Sequence, residues 1–384
     1  MSEQEIAFLA TILGGIAALW FFWDKLTLFF KRTYRKYRRY LDNKPPRCLV
    51  ELERPEGQVP LNSPFYVDRP PIEDDCYQHI VKPNALIRVK APRQLGKSSL
   101  MVRILAHAKS EGHQTVSLSL QLVDSPALES LDTFLRWLCT RVTHELGLPK
   151  EQVAEHWSDL YGSMDNCTDY FAKYLLTETL TVGLDEVDRV FQYEAIAQDF
   201  FGLLRAWHER GKNDPTWQKL RLIITHSQEV YIPLNINQSP FNVGMGVELP
   251  ELTQKQIHDL VKRHGLQWTE EHVSQLKDMV GGHPYLVRVA LYTMAQQRTT
   301  LADFLKLAPT AEGHYYDHLR RHLENLQKHP ELASAMKQAI TGNTPVKIGD
   351  TEAFKLRSMG LVKFCKDEVT PLCDLYRQFF ITRL

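Results

Sequence analysis

The short apolar run Leu86–Val89 enters the turn Ala91-Pro92-Arg93-Gln94-Leu95-Gly96-Lys97-Ser98, and the turn enters a stretch where Met101, Ile104, Leu105 and Ala108 recur at i, i+3, i+4 and i+7. The first run has the character of a buried strand, and the second spacing is one face of a helix. A strand joined to a helix by such a turn aims the turn's free N–H groups and the helix N-terminus into one space. Further apolar strands follow, Thr115–Leu122, Leu180–Gly183 and Leu220–Thr225, separated by stretches long enough for helices. That alternation predicts an α/β fold with a parallel sheet covered on both faces.

The turn fits G-x-x-x-x-G-K-[ST] except that Ala91 stands where the first glycine belongs. In such a loop the backbone N–H groups of Arg93, Gln94, Leu95 and Ser99 wrap phosphates, and Gly96 lets the chain come close. Lys97 would neutralise the β- and γ-phosphates and Ser98 would ligate Mg²⁺. An alanine cannot enter glycine-only backbone conformations cheaply, and degenerate short patterns arise by chance, so the loop alone leaves a chance match open.

The second motif is Leu180-Thr181-Val182-Gly183-Leu184-Asp185-Glu186, a mostly apolar strand ending in two adjacent carboxylates. At a magnesium–nucleotide site Asp185 would hold the ion and Glu186 would polarise the attacking water. The alternative is a pair of solvated carboxylates at a turn. A third strand ends in Thr225-His226-Ser227-Gln228, where a polar side chain, taken as Thr225, would sense the γ-phosphate. Strand capping and a structural histidine are the competing readings there.

With Ser63-Pro64-Phe65-Tyr66-Val67-Asp68-Arg69-Pro70-Pro71-Ile72-Glu73, the loop, Leu184-Asp185-Glu186-Val187-Asp188-Arg189 and Gly281-Gly282-His283-Pro284-Tyr285 in order, the chain from about Leu61 onward resembles the AAA+ and STAND-type P-loop ATPases. It is most similar to the bacterial AAA-like domain proteins abundant in cyanobacteria, a group that accepts alanine at the first loop position. The resemblance implies ATP and Mg²⁺ as ligands and places Val67, Asp68 and Arg69 along the adenine. It also implies a helical lid whose Gly282-His283-Pro284 turn closes on base and ribose, bringing Pro284 into the site. Leu252-Thr253-Gln254-Lys255-Gln256 opens that lid as a capping box, with helical periodicity from Ile257 past Val287. Arg288 is either a second phosphate sensor or a surface arginine. Arg205 and Arg210 are candidate arginine fingers, or solvated helix residues.

The C-terminal region resembles a winged helix, with apolar stretches Leu361–Phe364 and Val369–Leu372 flanking Lys366-Asp367. Its cations Lys355, Arg357, Lys363 and Lys366 are too few for a nucleic-acid face, so nucleic acid is not expected as a partner. No internal repeat is present, so the sensor array of a full STAND regulator is expected to be missing or supplied by another protein. The expected organisation is a transmembrane helix over 1–30, a basic linker over 31–60, the ATPase core over 61–250, the lid over 251–310 and a winged-helix-like domain over 311–384.

The N-terminal expectation rests on Ile6–Trp23, 18 residues without a charge, which make about 27 Å of helix, close to the thickness of a bilayer's hydrocarbon core. Six cations follow within Lys31–Tyr40, while Glu3 and Glu5 precede the run. That asymmetry argues against a cleaved signal and predicts a single-pass membrane protein, N-terminus out, with the ATPase domain cytoplasmic. A core helix is the alternative for the apolar run, and a nucleic-acid patch for the basic one. Residues 1–50 hold nine basic and four acidic side chains, so with 46 of each sign in the chain the remainder carries −5. Ala10, Gly14 and Ala18 share one helix face, where a second copy of the helix would fit. The six cysteines form no C-x-x-C pair or zinc-ligand spacing, the pattern of a reduced, cytosolic body. Together these features predict a membrane-anchored, ATP-dependent switch that works through homo-oligomerisation or a protein partner. A nucleic-acid regulator and a scaffold that binds ATP without hydrolysing it are the alternatives.

Overall fold

Every residue of Leu180–Asp185 is buried, and so is every residue of Leu220–His226. Strands without an exposed face belong in the middle of a sheet with helices on both sides. A computed structural model describes residues 51–227, 240–297 and 299–384, all within the unit that begins at Glu51. The expected membrane helix, the basic run, the small-residue face and Gln228 lie outside the described residues. Among the described residues no helix is long and apolar enough to cross a membrane.

The strands are β1 (Leu86–Lys90), β2 (Gln114–Ser119), β3 (Leu180–Asp185), β4 (Leu220–His226) and β5 (Met245–Glu248), in the order β2-β3-β4-β1-β5 and all parallel. Helices α1 (Ile72–Ile80) and α2 (Lys97–Ser110) cover one face, where Ile87, Val89 and Ile223 meet Leu100, Met101 and Ile104. On the other face α3 (Leu131–Glu145), α5 (Ser163–Tyr170) and α6 (Glu194–Arg210) bring Phe134, Leu138, Tyr170 and Phe200 onto Val182 and Leu184, with the short α4 (Glu151–His156) between α3 and α5. Each large side chain so buried contributes about 1.5–3 kcal/mol. Gly183 lets α2 settle on β3: a Cβ there would come within 3.0 Å of both Leu105 and Met101.

Two local expectations shift. The stretch Thr115–Leu122 leaves the sheet after Ser119 and turns into a 3₁₀ segment, because its neighbour β3 ends at Asp185, the partner of Ser119. The helical periodicity from Ile257 past Val287 is divided among α7 (Gln254–Arg263), α8 (Glu270–Val280) and α9 (Pro284–Ala295), broken at Gly265 (φ +71°) and Gly281 (φ +66°). The capping box at Thr253 and Gln256 forms as the sequence predicts.

Beyond α9 come α10 (Leu301–Leu307), α11 (Tyr316–Gln327), α12 (Pro330–Thr341), α13 (Asp350–Ser358), the antiparallel pair β6 (Val362–Cys365) and β7 (Glu368–Pro371), and α14 (Asp374–Phe380). Lys366, at φ +59°, turns the hairpin. One apolar core runs from Leu260 in α7 and Val287 in α9 to Leu356 and Phe380 near the C-terminus.

Candidate nucleotide-binding site

Parallel strands put all their carboxyl ends on one edge, and β4 lies between β1 and β3. The turn after β1 and the carboxylates after β3 therefore face each other across the end of β4. They line one cavity of ≈540 Å³.

Gln94 (φ +63°) and Gly96 (φ +100°) carry the left-handed turns of the phosphate loop. Ala91 is not among the positive-φ residues and its methyl is buried, so the missing first glycine costs the loop nothing in backbone freedom. Gly96 is required twice over. Its φ suits glycine, and a Cβ there would meet the Arg69 guanidinium at 3.0 Å. Arg69 is buried and donates from Nη1 to Leu95 O at 2.8 Å, bracing the loop from the side. Lys97 is folded onto its own loop and donates to Ala91 O (2.8 Å) and Pro92 O (2.9 Å). Burial pulls its ammonium down to about 8, partly opposed by Asp188, Asp185 and Glu186.

Opposite the loop, Asp185 Oδ1 accepts the Thr225 hydroxyl, whose oxygen in turn accepts the Glu186 N–H at 3.2 Å. Glu186 has φ +55°, and its Oε2 accepts from Ser119 Oγ at 3.2 Å. Burial, with the neighbouring Asp185 charge, raises its pKa. Asp188 closes the edge by accepting the Ser227 N–H at 2.9 Å and the Ser227 hydroxyl at 2.8 Å.

Val67, Arg69, Arg93, Gln94, Leu95, Gly96, Lys97, Ser98, Ser99, Asp185, Glu186 and Pro284 all line the cavity; Asp68 and Thr225 do not. Along the extended stretch before α1, Phe65, Val67 and Arg69 turn inward while Asp68 is exposed, and its carbonyl accepts from Gln256 Nε2 of α7 at 2.8 Å. Thr225 is fully buried behind Asp185, so it orients that carboxylate and does not reach the cavity. His226 is buried against Phe241. Arg288 is no surface arginine. It is 7% exposed, donates to Glu53 O at 2.9 Å and lies over the Phe65 ring. Arg205 and Arg210 pair with Glu209 and Asp214 and are not part of the lining.

The turn between α8 and α9 fits tightly. A Cβ on Gly282 would sit 2.2 Å from Leu252 O, and the Gly282 carbonyl accepts the Leu252 N–H at 2.7 Å. His283 is buried behind the lining, and burial drives its pKa down to about 3. Next to it stands a connection with no local signal in the sequence: Gln94 Oε1 accepts from His318 Nδ1 of α11 at 2.9 Å, and His318 Nε2 accepts from the Tyr376 hydroxyl of α14 at 2.8 Å. Ser227, from the polar end of the third strand, lines the cavity, and Asp188, Gln121, Tyr66, Tyr285 and the stretch Glu53–Pro60 do so without a predicted role. Asp188 stands in the Leu184–Arg189 marker, so its place could have been read from strand spacing. Glu53–Pro60 reads only as a linker.

The donor set suits a triphosphate with a hard cation. Buried Lys97 donates to two loop carbonyls, and Ser98 and Asp185 offer oxygen donors. Among the described residues no cluster of three or more acidic, histidine or cysteine side chains forms a protein cage for a metal.

A sequence profile for the AAA-like domain matches residues 54–382. The chain belongs to the AAA-like domain family. A curated relative of this AAA-like protein is an uncharacterized WD repeat-containing protein of Synechocystis, 21% identical over 359 residues; the match covers 84% of this chain but only 29% of the relative. Among solved structures, a Walker-type ATPase of Pyrococcus abyssi superposes with a TM-score of 0.56 at 13% identity, covering 85% of this chain and 98% of that one. A STAND protein with a tetratricopeptide repeat sensor from Pyrococcus horikoshii matches at a TM-score of 0.37 and 14% identity, over 82% of this chain and 42% of the other. The AAA-like chain has the α/β P-loop ATPase fold.

Proposed function

We propose that this chain is a membrane-anchored ATPase switch, binding ATP with Mg²⁺ at the composite site and hydrolysing it to ADP and phosphate. One observation carries the reading: Lys97 after β1 and Asp185 and Glu186 after β3 line a single cavity with the Pro284 turn of the lid. Gly96 and the loop N–H groups receive the phosphates, Lys97 exchanges its loop carbonyls for phosphate oxygens, and Ser98 and Asp185 hold the ion. Bound Mg²⁺ supplies charge neutralisation on the phosphates. Glu186, its pKa raised by burial, takes the proton of the attacking water, and Thr225 keeps Asp185 in place.

Phosphate release tests the catalytic part. Wild type is expected to release phosphate, Glu186→Gln to bind nucleotide without turnover, and Lys97→Ala to lose binding; equal release by wild type and Glu186→Gln would leave an ATP-binding scaffold. The anchor rests on residues 6–30 and the cations after them. Membrane association that survives deletion of 1–30 refutes it.

The switch reading is supported by the single apolar core that joins α7–α9 to the C-terminal helices. Its output is homo-oligomerisation or contact with a protein partner. The WD repeats of the Synechocystis relative support a partner that carries a repeat array. Size analysis in detergent with and without an ATP analogue, with Lys97→Ala as control, tests this, and an unchanged size and partner profile would refute it.

A further inference from the structure

Residues Glu53–Pro60 form part of the cavity wall, and arginines from two separate elements grip this segment by its carbonyl groups. Arg103 of α2 donates to Val59 O at 3.1 Å and to Pro60 O at 2.8 Å, while the Val59 N–H donates to Ser99 Oγ at 2.9 Å. At the other end Arg288 of α9 donates to Glu53 O at 2.9 Å, its guanidinium 4.5 Å from the centre of the Phe65 ring. The Glu53 carboxylate accepts from Ser63 Oγ at 2.5 Å, which holds that side chain in place. Between the anchors, Arg54 to Gln58 line the cavity.

We propose that Glu53–Pro60 is a strap that retains bound nucleotide, and that Arg288 is a positioning residue that latches the strap to the lid instead of touching phosphate. The inference rests on nucleotide binding at the composite site. Arg288 lines the cavity with its cation stacked on Phe65 and hydrogen-bonded to the strap, and turning it toward phosphate would break both contacts. One anchor stands on the phosphate-loop helix and the other on the lid, so the strap spans the two elements that nucleotide would draw together.

The test uses the full-length protein in detergent, a fluorescent ATP analogue with Mg²⁺, and stopped-flow chase. Arg288→Met and Arg103→Met, which free opposite ends of the strap, are each expected to speed release about tenfold while changing association less than about threefold. Faster release in Arg288→Met alone would identify a phosphate contact and overturn the strap, as would wild-type release from both variants. A second readout needs no variant: glutamyl endopeptidase cleavage at Glu56–Gly57 should slow about fivefold when a non-hydrolysable ATP analogue binds wild type. Cleavage at the same rate with and without analogue would refute retention by the strap even where the variants do not fold. Failure of wild type to bind the fluorescent analogue, as expected only of Lys97→Ala, would sink the nucleotide reading itself; binding with unaltered release and cleavage would sink the strap alone.

Discussion

Gln94, at the tip of the phosphate loop, accepts a hydrogen bond at 2.9 Å from His318, a residue 224 positions further along the chain. The other ring nitrogen of His318 accepts from the buried Tyr376 hydroxyl. His318→Phe strips both partners at once and should destabilise the protein by about 1–3 kcal/mol, while Tyr376→Phe removes one bond and should cost about 1 kcal/mol. Denaturant titration checks the order; equal stabilities for wild type and His318→Phe would deny the connection any energetic role.

Thr225 supports Asp185 and the Glu186 N–H from below the cavity. Thr225→Val keeps the shape and deletes the hydroxyl, leaving a carboxylate oxygen and an amide without that partner. Phosphate release should fall about tenfold or more, with nucleotide affinity within about threefold of wild type. Thr225→Ser should recover most of the rate.

Ala91→Gly restores the glycine that the loop pattern lacks. Because Ala91 is not at positive φ, the change should leave nucleotide affinity within about twofold and lower stability by about 0.4–1 kcal/mol through unfolded-chain entropy. A large gain in affinity would show that the alanine restrains the loop. Gly282→Ala should be far more damaging, since its new methyl would collide with the Leu252 carbonyl.

Burial holds Lys97 at about 8, below the ordinary lysine value of 10.5. Phosphate favours the charged ammonium, so binding above pH 8 must take up a proton, and affinity should fall by up to about tenfold per pH unit there. For folding the sign is opposite: between 8 and 10.5 the unfolded chain binds more protons at this lysine, so its contribution to stability rises with pH. Calorimetric titrations of nucleotide binding in buffers of different ionisation enthalpy would detect the uptake, and no buffer dependence above pH 8 would contradict it.

His283 and His322 are held down to about 3 and about 4 by burial, against an ordinary 6.5. Both fold as neutral rings and the unfolded chain protonates them first, so their contribution is complete above pH 6.5 and declines as pH falls toward 4. The melting temperature should drop across that window, and less so in His322→Gln. A drop of equal size in both proteins would point to other groups.

The loop, the Asp185-Glu186 strand end and the capping box at Thr253 were all legible in the sequence, because each depends on residues within a few positions of one another and on the periodicity of a strand or helix. The four family markers extended that reading to the lid. Local order cannot say which side of an extended segment meets the cavity, and the alternation that turns Val67 inward leaves Asp68 outside. Nor does it reveal that Thr225 serves Asp185, that His318 reaches Gln94, or that Arg288 stacks on Phe65 and grips Glu53. Those contacts join residues 40, 224 and 235 positions apart. A side chain's own spacing carries no record of the partner that packing brings to it. The sequence by itself determined the chemistry available at the sheet edge, and tertiary packing decided which polar groups are buried there, which must therefore find partners, and which remain open to a ligand.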